Sequence, residues 1–215
     1  MSQMITFIAK FFQEGGPFMF VILGVLAFGV AIMIERAYYL IIRCRINAKT
    51  LLSQITKLVR SDKVSDARKL CVQSKAPLAI ILESALWHYE QGLSNEEIQN
   101  AVDETALREL PKVQRRTHYL SLSSNVSTLL GLLGTITGLM AAFGALAAAD
   151  PSQKAVLLAL GIAQAMNTTA WGLIVAIPCM VAFSVLSARA NDIIEEIDES
   201  SVRLLNFLFI QRSGR

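Results

Sequence analysis

Three stretches of this chain carry no charged side chain: residues 15–34, 119–149 and 155–188, which are 20, 31 and 34 residues long. A helix needs about 20 apolar residues to cross the hydrocarbon core of a bilayer. Each stretch is long enough to span, and the last two are long enough to continue beyond the membrane. Only 17% of the chain is charged, against about 25% in an ordinary soluble domain. The deficit is concentrated in these stretches. A soluble protein of this size seldom buries three such helices with no charge on any face. The expected fold is an all-α polytopic membrane protein with three transmembrane helices. Its long second and third helices extend into a cytoplasmic helical domain.

Local signals set the expected boundaries. Residues 1–16 hold one basic residue, Lys10, and the pair Phe11 and Phe12; they read as an interfacial segment and not as a cleavable signal peptide. Transmembrane helix 1 is expected over residues 17–42, with Pro17 tolerated in its first turn. The cytoplasmic helical domain covers 43–118. Within it, Leu51, Leu52, Ile55, Leu58 and Val59 recur at helical spacing, as do Val64, Ala67, Leu70 and Cys71. Pro77 opens a further helix that Gly92 ends. Ser94 and Glu97 make a capping box, starting a helix expected to pass Pro111 with a kink and run into span two. Span two is expected over 119–149, a periplasmic turn over 150–154 containing Asp150, Pro151 and Ser152, span three over 155–188, and a cytoplasmic C-terminal helix over 189–215. Pro178 lies inside span three.

Charge sets the orientation. Of 20 Lys and Arg residues, fourteen lie from Arg36 to Arg116 and four from Arg189 onward, leaving Lys10 and Lys154. Basic segments stay cytoplasmic. The N-terminus is therefore expected in the periplasm and the C-terminus in the cytoplasm of a bacterial inner-membrane, multi-pass protein. The mixed charges and few aromatics of residues 43–118 argue against nucleic acid and for a solvated domain near anionic lipid. Glu35 and Arg36 read as a local pair at the inner end of span one. Cys44, Cys71 and Cys179 are odd in number and lack metal spacing, so they read as free structural thiols. His88 and His118 have no ligand cluster around them. No nucleotide loop, nucleophile elbow or metal motif is present. The chain is not expected to be an enzyme or to need a cofactor.

The second and third spans differ in kind from the first. Gly131, Gly134 and Gly138 in span two, with Gly172 in span three, form small-residue faces that let helix backbones approach closely. Polar residues recur in both spans: Ser121, Ser124, Asn125, Thr128 and Thr135 in one, Gln164, Asn167, Thr168 and Thr169 in the other. Side chains of this kind at membrane depth seek interhelical partners or line a wet path. Two polar faces on adjacent spans favour a lined path, with Thr128, Thr135, Gln164, Asn167, Thr168 and Thr169 as candidates. Neither span contains Asp, Glu, Lys, Arg or His. Hydroxyls and amides do not titrate near neutral pH, so a proton-binding carboxylate has to come from a second protein.

Residues 129–140, LLGLLGTITGLM, and 161–178, GIAQAMNTTAWGLIVAIP, resemble the signatures of the MotA/TolQ/ExbB proton-channel family. The resemblance covers the whole three-span layout and is similar to the TolQ/ExbB branch, including relatives that serve gliding motility. It implies a homo-oligomer, a pentamer, around a dimer of a single-span TolR/ExbD-like partner that supplies an intramembrane Asp. It further implies proton flow coupled to mechanical work on the cell envelope, through a TonB/TolA-like or gliding-machinery effector. Thr135 and Thr169 match the family's threonines that line the route to that Asp. Two departures stand out: Gln164 replaces a Glu, and Ser127 and Thr128 occupy a stretch where the family often has Pro. The cluster Asn167, Thr168 and Thr169 offers extra oxygen ligands, so Na⁺ is the alternative to H⁺. A non-conducting membrane scaffold and a transporter permease subunit are the rival functions.

Overall fold

The computed structural model describes residues 16–148 and 150–213. Expectations for residues 1–15 lie outside it. Among the described residues all regular structure is helical: α1 (Phe18–Tyr38) with a terminal π-helical turn (Tyr39–Arg43), α2 (Ala48–Arg60), α3 (Val64–Val72), α4 (Pro77–Glu90), α5 (Asn95–Gln114), α6 (His118–Ala148) and α7 (Lys154–Ser213). Three helical stretches, containing α1, α6 and α7, are long and apolar enough to cross a membrane. The protein is an all-α, polytopic membrane protein. Its contacts divide it into two compact units. One joins the chain up to Ile34 with Arg116–Ser184; the other joins Glu35–Arg115 with the chain from Val185 onward.

In the first unit, α6 and α7 run antiparallel, in contact along a seam of small residues. Gly131 lies against Thr169 and Gly172, Gly134 against Thr168, Gly138 against Ala165, and Ala142 against Gly161. The seam follows from spacing: residues three and four apart stay on one helix face, and side chains this small let the backbones approach. A Cβ on Gly172 would stand 2.7 Å from the Ser127 carbonyl oxygen and 3.0 Å from the Gly131 Cα. Helix α1 packs beside the pair. Ile22 is buried with Val175 and Cys179, flanked by Leu26, Leu130 and Trp171, and Gly29 faces Cys179 and Ser123. Helix α7 passes through Pro178 without a break.

The second unit is built from amphipathic helices. Buried apolar residues come from α2 (Leu51, Ile55, Val59), α3 (Ala67, Cys71), α4 (Ile81, Leu82, Leu86), α5 (Ile98, Val102, Val113) and the C-terminal part of α7 (Ile197, Leu204, Leu208). The ends are capped by polar side chains. Asn47 Oδ1 accepts from the Thr50 N–H at 3.0 Å, and Ser94 and Glu97 form the reciprocal capping box. Arg68 clips α3 to α4 through Glu83 at 2.8 Å and Glu90 at 3.4 Å. Arg212 donates to the carbonyls of Leu93 and Gly92. Arg36 reaches into this unit. It is 3% exposed, donates to the Val113 carbonyl, and lies 4.8 Å from the centroid of the Tyr39 ring.

One expectation is corrected. The helix opened by Ser94 does not run through into span two: α5 ends at Gln114, and Arg116 takes a left-handed φ of 66°. Pro111 removes one hydrogen bond but does not end the helix; the Arg115 N–H still reaches the Pro111 carbonyl at 2.8 Å.

Candidate functional site

Helix α6 turns Ser123 and Leu130 toward α1. At 3.6 residues per turn, Thr128 and Thr135 lie roughly 150° further round the same helix. On α7, Trp171 and Val175 face α1, and Thr169 lies roughly 120–160° away from them. Thr128, Thr135 and Thr169 therefore share the side of the α6/α7 pair that α1 leaves open. On that side lies a cleft of about 580 Å³, lined by Ser124, Asn125, Thr128, Leu129, Leu173 and Met180 among others.

The hydroxyls on this side have committed their protons. Thr128 Oγ1 donates to the Ser124 carbonyl at 3.0 Å and Thr135 Oγ1 to Leu132 at 2.6 Å. Thr169 Oγ1 donates across the seam to the Gly131 carbonyl at 3.0 Å. A hydroxyl has one donor and two acceptor lone pairs. With the donor engaged, each offers its lone pairs alone, which suits a hydronium ion, a protonated carboxyl or a hard cation.

The other candidates are placed elsewhere. Thr168 is buried in the seam, its methyl against Gly134, and its hydroxyl donates to the Gln164 carbonyl at 2.9 Å. The Gln164 amide lies against Gly16, ahead of α1. Asn167 is half-buried and lies roughly 160° round α7 from Thr169. Gly131, Gly134, Gly138 and Gly172 are in the seam; Pro178 is exposed. Two features of the seam went unread in the sequence. Gly161, Ala165, Thr168 and Gly172 form the complementary stripe on α7, legible as steps of four, three and four. Ser124 Oγ donates to the Ala176 carbonyl at 2.8 Å, a second bond between α6 and α7. All three cysteines are free and buried. Among the described residues no His, Cys, Asp and Glu side chains group to hold a metal.

The architecture so far is that of a multi-pass helical membrane protein with a small-residue hairpin of spans. Residues 73–199 match the model of the MotA/TolQ/ExbB proton channel family. Across 188 residues the chain is 32% identical to the biopolymer transport protein ExbB-like 3 of Synechocystis, covering 86% of this chain and 88% of that one. Across 108 residues it is 39% identical to the Tol-Pal system protein TolQ of Haemophilus influenzae, covering 50% of this chain and 47% of that one. The solved structure of C. jejuni MotAB aligns over 96% of this chain and 92% of that chain, with 16% identity and a TM-score of 0.49. The chain belongs to the MotA/TolQ/ExbB proton channel family.

Proposed function

We propose that this protein is the channel-forming subunit of an inner-membrane motor that couples ion flow to mechanical work on the cell envelope. Several copies, five in this reading, surround a dimer of a single-span TolR/ExbD-like protein. The open side of each α6/α7 pair faces that dimer. The partner's intramembrane Asp carries the proton, and Thr135 and Thr169, with Thr128 deeper along α6, receive it as it passes. Asn167, Thr168 and Gln164 act behind this face, holding α7 in register. The N-terminus lies in the periplasm and the C-terminus in the cytoplasm. The role is non-catalytic, needs no cofactor, and delivers its output to a TonB/TolA-like or gliding-machinery effector.

The observation that carries the reading is the alignment of three hydroxyls, their donors already engaged, on the open side of two spans that contain no Asp, Glu, Lys, Arg or His. Such a face can solvate a moving proton but cannot store one. One charge crossing the membrane yields about 2.3 kcal/mol per 100 mV of potential, so several ions per cycle suffice to drive a conformational step.

The test is co-expression with a single-span protein that has an Asp in its span. Thr135→Val and Thr169→Val should leave the complex assembled and lower its output at least about tenfold, the scale of losing one hydrogen bond to a charged group. Output unchanged in both variants leaves a scaffold and ends the channel reading. Protons are the ion in this proposal. Output that follows sodium concentration at fixed proton-motive force would replace H⁺ by Na⁺.

A further inference from the structure

In the second unit a pocket of about 360 Å³ opens beside the end of the first span, and Arg43, Ser74 and Lys75 lie in its wall. Arg43 closes the π-helical turn that follows α1; Ser74 and Lys75 lie between α3 and α4. Among the described residues neither Arg43 nor Lys75 has a carboxylate within ion-pairing distance. The acidic side chain in the same wall, Glu83, is already engaged: its Oε1 accepts from Arg68 Nε at 2.8 Å. Ser74 Oγ accepts from the Ala76 N–H at 3.2 Å, which leaves its O–H to donate. The pocket thus gathers two cations that no carboxylate pairs, Arg43 lying 6.0 Å from the Tyr39 ring centroid, and a hydroxyl donor, the set that recognises a phosphate.

Its surroundings say where that phosphate is carried. The first span is expected to run to residue 42, which puts Arg43 at headgroup depth. Ile41 and Ile42, just ahead of it, are 56% and 59% exposed, and Val72 on the pocket wall is 64% exposed. Exposed aliphatics beside a cationic pocket match an amphiphile, with its anionic head in the pocket and its chain along the end of the span. We propose that Arg43, Ser74 and Lys75 form a binding site for the phosphate headgroup of an anionic phospholipid, held within the second unit between the π-helical turn after α1 and the α3–α4 connection. The site requires only that the span end near Arg43, and neither the oligomer nor the partner proposed above.

The full-length protein is purified in detergent, stripped of lipid, and titrated by native mass spectrometry with phosphatidylglycerol, phosphatidylcholine or inorganic phosphate. The wild type should bind phosphatidylglycerol in preference to phosphatidylcholine. Lys75→Gln should weaken phosphatidylglycerol on the order of fivefold and the double variant Arg43→Gln/Lys75→Gln on the order of 25-fold, the scale of one and two basic residues lost at a membrane surface. Lys49→Gln, an exposed change outside the pocket, should leave binding unchanged. Each altered side chain is exposed, and thermal midpoints confirm that the variants fold. Equal binding by the double variant overturns the site. An equal loss in Lys49→Gln reduces it to general surface charge and overturns it too. Inorganic phosphate competing as well as phosphatidylglycerol overturns the lipid source.

Discussion

Gly172 sets how closely α6 and α7 approach. A Cβ there meets the Ser127 carbonyl oxygen and the Gly131 Cα, both backbone atoms that cannot turn aside. Gly172→Ala should therefore cost about 1–3 kcal/mol, read as a lower unfolding midpoint in detergent. Gly144→Ala is the control: a Cβ there meets nothing within 4 Å, and the midpoint should hold. The neighbours Thr168 and Thr169 diverge for a related reason. Consecutive residues stand roughly 100° apart on a helix, so Thr168 enters the seam while Thr169 reaches its edge. The sequence shows both as mid-span threonines, and no periodicity in α7 alone says where α6 lies. Thr169→Val should cost only about 0.6 kcal/mol, the mean for such interhelical bonds. A large loss of output in that variant would then come from the pathway and not from unfolding. Burial pushes the Cys71 thiol up to about 12, so on the order of one thiol in ten thousand is ionised at pH 8. Cys71 should resist iodoacetamide in the folded protein and react only after denaturation, as peptide mapping would read.

The elements differ in how loudly the chain announces them. The three spans were legible because a bilayer tolerates so few charges that their absence over 20 or more residues is decisive. The start of α5 was legible because a capping box is a local exchange between Ser94 and Glu97, needing nothing from the rest of the fold. Its end was not. Pro111 is the louder signal, yet the helix passes through it and ends at Gln114, just before the left-handed Arg116, a backbone state that its residue type does not announce. The burial of Arg36 was equally hidden, because its acceptor, the Val113 carbonyl, is supplied from the far end of α5. The capping box carries its own prediction. Ser94→Ala should cost about 1 kcal/mol of helix stability. The hydrogen bonds from the Ser94 side chain and backbone hold the Glu97 carboxyl below its ordinary value. A carboxyl depressed on folding contributes stability that is present above its unfolded value and lost as pH falls through the folded one. The difference between wild type and Glu97→Gln should thus be full at neutral pH and fade in acid, in unfolding titrations across that range.

At the scale of the whole molecule, the spans also expose large apolar side chains outside the cleft, Met140 and Met166 among them. They suit lipid or neighbouring copies. Where α6 and α7 meet, glycine and alanine bring backbone against backbone, and neither a water file nor a lipid tail fits between them. Anything that moves must travel alongside the hairpin and not through it. The width of a conduit is then a property of how many hairpins are gathered, not of any one of them. A single chain reconstituted alone in liposomes should leave a pH gradient intact.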